Sequence, residues 1–106
     1  MEREVGRVIV VRHAATRYLD RRPHNGMTIE EAEAFIEREV TNGIKGGRCA
    51  LRKPKVFRLY GDSKGILAHP RDHCVWNEDR SLAWVVRRNG EEEVVMTTLT
   101  RARAPK

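Results

Sequence analysis

Hydrophobic positions along this chain change period twice, and each change marks a different kind of element. Val5 to Val11 is a run rich in β-branched residues and predicts a strand. From His13 to Arg22 the spacing turns helical. Ala14, Ala15, Tyr18 and Leu19 share one side of that helix, and His13, Arg17, Asp20 and Arg21 share the other. Pro23-His24-Asn25-Gly26 is a turn signal. Thr28 followed by Glu31 is a capping-box pattern, in which each side chain satisfies the other residue's backbone N–H, so a second helix is predicted to begin there. Ile29, Ala32, Ile36 and Val40 supply its buried stripe, Glu30, Glu33 and Glu37 face away, and Asn42-Gly43 reads as its stop.

Beyond the helices the period falls to two. Val56 to Tyr60 predicts a strand, interrupted upstream by Pro54, which has no N–H to give a ladder. Gly61 to Asp72 reads as a loop. Cys74 to Asn77 and Leu82 to Arg88 read as strands joined by the polar turn Glu78 to Ser81, and Asn89-Gly90 is a hairpin signal before a last strand, Glu92 to Thr100. Strict alternation along that strand puts Val94, Met96, Thr98 and Thr100 on one face and Val95, Thr97 and Leu99 on the other. The order β-α-α-β-β-β(-β) predicts an α+β fold: an N-terminal strand and two helices packed on a twisted antiparallel sheet, in one domain spanning 1–106.

Composition narrows the class. With 40% hydrophobic and 34% charged residues the chain is too apolar for wholesale disorder. No apolar run approaches the ~20 residues that span a bilayer, and Val8 to Val11 is too short for a signal-peptide core. A cytoplasmic protein with no membrane partner is therefore expected. Cys49 and Cys74 show no CxxC spacing and are expected to be free thiols rather than a disulfide.

Charge changes the picture more. The net charge is +6, and it is segregated. Between Gly46 and Arg71 stand seven Arg or Lys (Arg48, Arg52, Lys53, Lys55, Arg58, Lys64, Arg71) against one acid, Asp62. The tail adds Arg101, Arg103 and Lys106, whereas Met27 to Lys45 holds five glutamates and two basic residues. A basic face for a polyanion is the implied feature. From charge alone, Arg21, Arg48, Arg52, Lys53, Lys55, Arg58 and Arg101 are candidate nucleic-acid contacts, with Tyr60 as a base-stacking aromatic. Solvated charge on an edge strand, which discourages aggregation, would give the same pattern.

Candidate chemistry gathers on the first helix. His13, Arg17 and Arg21 recur every four residues and so stack along one face. A histidine exchanges protons near neutral pH, and guanidinium groups hold a phosphate and its developing charge. RNA cleavage without a metal needs those two abilities. A metal site built from His69, His73, Cys74 and Cys49 is the weaker reading, since Pro70 argues against a helix there and paired ligand spacing is missing. No metal and no cofactor are expected.

The order of these pieces resembles the RelE/barnase/EndoU/colicin-type superfamily of small ribonuclease toxins. The residues that carry the likeness are a strand followed by Arg12-His13-Ala14-Ala15-Thr16-Arg17-Tyr18-Leu19-Asp20-Arg21-Arg22, then the helix Thr28-Ile29-Glu30-Glu31-Ala32-Glu33. Val75-Trp76-Asn77, Leu82-Ala83-Trp84-Val85-Val86 and Val94-Val95-Met96-Thr97-Thr98-Leu99 close it. The resemblance implies a metal-independent endoribonuclease acting through 2′-OH attack. It implies His13 as general acid or base, Arg17 as phosphate holder, and Thr97 (or Thr98) as a hydrogen-bonding group for the phosphate or the histidine. It also implies RNA as partner and an antitoxin or immunity protein as inhibitor. A non-catalytic module on the same scaffold, encoded by a phage or mobile element and binding nucleic acid or a host protein, is the alternative.

Overall fold

The structure is a computed structural model and describes residues 6–21, 26–50, 57–58 and 71–101, with the backbone alone at 21, 57, 58, 100 and 101. In chain order the elements are β1 (Arg7–Val10), α1 (Arg12–Arg21), α2 (Ile29–Lys45), β2 (Cys49–Ala50), β3 (Phe57–Arg58), β4 (Asp72–Trp76), β5 (Leu82–Asn89) and β6 (Glu92–Arg101). The sheet order is β1-β6-β5-β4-β2, and β3 also pairs with β6. This is the α+β arrangement the periodicity predicts, with one difference: the sheet is mixed. β1 runs parallel to β6, with Val10 opposite Val95, while the other pairs are antiparallel. A hairpin forces antiparallel pairing, but most of the chain lies between β1 and β6 and leaves their direction free.

The helices form where local signals place them. On α1, Ala14 and Ala15 are fully buried and Tyr18 nearly so. Two alanines in succession let the helix lie close on β6. Its partner α2 starts on the expected capping box: the Glu31 N–H donates to Thr28 Oγ1 and the Thr28 N–H to Glu31 Oε1, both at 3.1 Å. Ala32, Ile36, Val40 and Ile44 are buried on α2, and Tyr18 stacks on Phe35 at 5.2 Å between ring centroids to join the two helices.

The stop expected at Asn42-Gly43 does not occur there. α2 continues to Lys45, and Gly46 ends it by donating its N–H to the Asn42 carbonyl at 2.9 Å. Gly43 has a different task. A Cβ at that position would lie 2.5 Å from Val75 Cγ1 and 3.1 Å from the Trp76 carbonyl oxygen, so glycine is what lets α2 pack down on β4.

The β5–β6 hairpin also shifts by one residue from the sequence signal. Asn89 pairs with Glu92, so the two-residue loop is Gly90-Glu91, and Gly90 carries φ +62°. Glycine with positive φ in the first loop position is what a type II′ turn demands.

A break in register along β6 decides which residues face the helices. Val85 pairs with Thr97 but Val86 pairs with Val95, leaving Met96 as the extra residue of a β-bulge. Alternation therefore resets at Met96. Val95 joins Val75, Leu82, Trp84 and Val86 in the core beneath the helices, together with Ala14, Ala32, Ile36 and Val40. Leu99 instead joins Cys74, Ala83 and Val85 in a smaller cluster on the opposite face. The expectation that Val95, Thr97 and Leu99 share a face fails for this reason.

Neither cysteine is in a disulfide: Cys74 lies in the far-face cluster and Cys49 packs against the helix-side core. On the far face too, Arg87 Nε lies 2.8 Å from Asp72 Oδ1, and its Nη2 reaches Oδ2 at 3.3 Å. That hydrogen bond to Asp72 raises the Arg87 pKa further above its already high ordinary value. Among the described residues, no helix is long and apolar enough to cross a membrane.

Candidate nucleic-acid interface

The exposed side of α1 carries Arg12, His13, Thr16, Arg17 and Asp20, while Ala14, Ala15 and Tyr18 fasten the other side to the sheet. His13 and Arg17 stand one turn apart and both reach solvent. Neither Arg12 nor Arg17 is held in an ion pair among the described residues. The first turn of α1 contains no acid, so the positive end of the helix dipole adds to the Arg12 charge rather than meeting an acidic cap. The local field favours an anion.

Thr97 does not join them. It pairs with Val85, whose side chain belongs to the far-face cluster, so Thr97 is on the side of the sheet away from α1. The bulge at Met96 is the physical cause. The neighbouring hydroxyl, Thr98, is fully buried on the helix side and donates to the Ala14 carbonyl at 2.8 Å. Thr98 thus positions α1 on β6, and it is the backbone beneath His13 that it holds. Replacing Thr98 with valine is expected to cost about 1 kcal/mol, because the hydrogen bond disappears at a buried site. Thr97→Val, half-exposed in a strand, is expected to be near neutral. Thermal unfolding of the two variants side by side checks this; equal melting temperatures would contradict the assignment.

The charge-based candidates divide. Arg48 is half-buried, donates from Nε to the Trp76 carbonyl at 3.1 Å, and precedes β2 at the opposite edge of the sheet from β1. It braces the α2–β2 connection and stands apart from α1. Arg21 ends α1, and Arg58 and Arg101 lie in β3 and β6, where Arg58 pairs with Thr100 and Phe57 with Arg101. Arg52, Lys53, Lys55 and Tyr60 lie outside the described residues.

One polar cluster has no counterpart among the sequence-based candidates. Glu93, 2% exposed, lies between His73 and Arg88, with His73 Nε2 at 3.6 Å and Arg88 Nε at 3.7 Å from its carboxylate oxygens. Counting back two residues from the core residue Val95 would have placed Glu93 on the buried face. Its position within a run of three glutamates suggests solvated charge instead. His73 and Cys74 are consecutive on β4 and belong to opposite faces, and His69 lies outside the described residues. Among the described residues, no three His, Cys, Asp or Glu side chains are grouped to hold a metal.

No protein-family model, curated protein or solved structure matches this chain. What α1 offers chemically is two guanidinium groups, one imidazole and the Asp20 carboxylate on its exposed side.

Proposed function

We propose that this protein binds RNA through the exposed face of α1. The observation that carries the reading is the joint exposure of Arg12, His13 and Arg17 on a helix whose opposite face is buried against β6. Cations on a surface fixed by a packed core can meet phosphates without first being ordered, and the counterions they displace drive association. RNA is favoured over DNA by the ribonuclease-like order of elements. Cytoplasmic residence belongs to the same proposal. The test is binding of a labelled single-stranded RNA by fluorescence anisotropy across a salt series. Arg17→Glu is expected to weaken binding and to reduce the salt slope by about 0.7 for each phosphate that the variant no longer neutralises. Wild-type affinity and slope in that variant would overturn the reading.

A second reading, a metal-independent endoribonuclease of small-toxin type, is favoured by the placement of His13 one turn from Arg17. In it the imidazole takes the proton of a ribose 2′-OH, and the oxygen attacks the adjacent phosphorus. The P–O5′ bond breaks, and the leaving oxygen takes up a proton, so the upstream product ends in a 2′,3′-cyclic phosphate. Arg17 steadies the charge on the phosphoryl oxygens. With Thr97 on the other face, no hydroxyl of β6 is assigned to the reaction. An antitoxin or immunity protein covering α1 would be the inhibitor under this reading.

A further inference from the structure

The strand path β1-β6-β5-β4-β2 ends on two strands of unequal length: β2 has two residues, whereas β1 runs Arg7-Val8-Ile9-Val10. β1 meets β6 through alternate residues. The Arg7 N–H donates to the Glu91 carbonyl at 3.0 Å and the Val11 N–H to the Val95 carbonyl at 3.2 Å, and Ile9 lies midway between them in the same parallel ladder. In such a ladder the intervening residues turn their N–H and C=O groups the other way. Those residues are Val8 and Val10, and among the described residues no strand lies on that side of them. Side chains alternate as well. Val8 and Val10 pack on the helix-side core, Ile9 belongs to the far face, and all three are half-buried. Native sheets guard an open edge with lysine, proline, an inward charge or a bulge. Val8-Ile9-Val10 has none of these.

We propose that β1 is a dimerisation strand, which pairs antiparallel with β1 of a second copy about a two-fold axis at Ile9. In this register the edge is complementary to itself. Val8 of each copy stands opposite Val10 of the other, where the outward N–H and C=O groups meet, and the two pairs give four hydrogen bonds. Ile9 opposes Ile9 of the second copy as a pair without hydrogen bonds, so apolar side chains meet on both faces. Charge matches at the ends. Position 12 of one copy falls opposite Gly6 of the other, and Gly6 lies against Glu91. Arg12 thus arrives where Glu91 and Glu92 outnumber Arg7. Opposite residues share a face, so both copies keep their helices on the same side of one continuous sheet.

A contact of this size is weak, with an expected Kd of about 10–100 μM, so sedimentation equilibrium over roughly 5–500 μM protein tests it. Wild type is expected to pass from monomer to dimer across that range. Val8→Pro removes an outward N–H and spares the ladder to β6, because proline is accepted where its missing donor faces away from the sheet. That variant is expected to stay monomeric throughout, with wild-type circular dichroism. Should it fail to fold, Ile9→Cys decides. Opposite residues of an antiparallel pair without hydrogen bonds lie at disulfide distance, so mild oxidation is expected to link two copies. Thr16→Cys, exposed on α1, is the control and is expected to stay unlinked. A wild type that is monomeric at the highest concentration overturns the second copy as occupant. A dimer that survives Val8→Pro, or cross-linking of Thr16→Cys as fast as of Ile9→Cys, places the contact elsewhere and overturns the proposal.

Discussion

Trp84→Ala is expected to remove about 3–5 kcal/mol of folding stability, the range for truncating a large buried aromatic. Trp84 is fully buried on β5, between Val75 of β4 and Thr98 of β6 in the register, and belongs to the cluster that Ala14, Ile36 and Val40 cover from the helices. Few described side chains are placed to collapse into the space: the alanines of α1 are short, and the sheet positions are fixed by their ladders. Small domains hold only ~5–15 kcal/mol in all, so the loss is a large share of the total and should lower the melting temperature markedly. In urea the midpoint should fall with the slope unchanged. Trp84→Phe should cost clearly less, because the indole N–H is buried with no hydrogen-bond partner among the described residues and phenylalanine removes that donor. A loss under ~1 kcal/mol for the alanine variant would mean that the core is not centred on Trp84.

His13→Ala carries the largest functional effect. Under the endoribonuclease reading, cleavage of RNA in EDTA should fall by about 10²–10⁴-fold, the usual contribution of a positioned acid or base. Because His13 is exposed, the melting temperature should stay at the wild-type value. RNA affinity should change little, since Arg12 and Arg17 supply the permanent charge. The three readouts together separate the readings. Loss of cleavage with binding and stability kept identifies His13 as the proton carrier. Cleavage unchanged in His13→Ala removes that role, and absence of cleavage in wild type, with salt-sensitive binding intact, leaves a binding module.

The helices were legible because their signals are local. Thr28 and Glu31 are neighbours whose reciprocal bonds need nothing from the rest of the molecule, and the stripe from Ala32 to Val40 is a consequence of 3.6 residues per turn. The exposure of His13 and Arg17 was legible for the same reason: once Ala14, Ala15 and Tyr18 face a core, residues between them face water. The candidate site was legible only in that half. Thr97 (or Thr98) beside His13 was only what the resemblance implied, and the extra residue at position 96 leaves Thr97 on the far face while Thr98 is buried under α1. Arg48 counted as part of a basic run, yet it lies three strands from β6, bound to a backbone carbonyl.

The exposure of His13 and Arg17 on one helix face was thus legible in the sequence, as were the α+β class and the capping box, whereas Arg12 beside them was not singled out there. Each depends on residues within a turn or two of one another. Tertiary structure decided the rest. The parallel pairing of β1, the bulge that turns Thr97 away, the persistence of α2 past Gly43, and the pairing of β3 with β6 all depend on contacts between distant segments. Those contacts are set by how two layers close over a shared core, and no spacing within either segment encodes them.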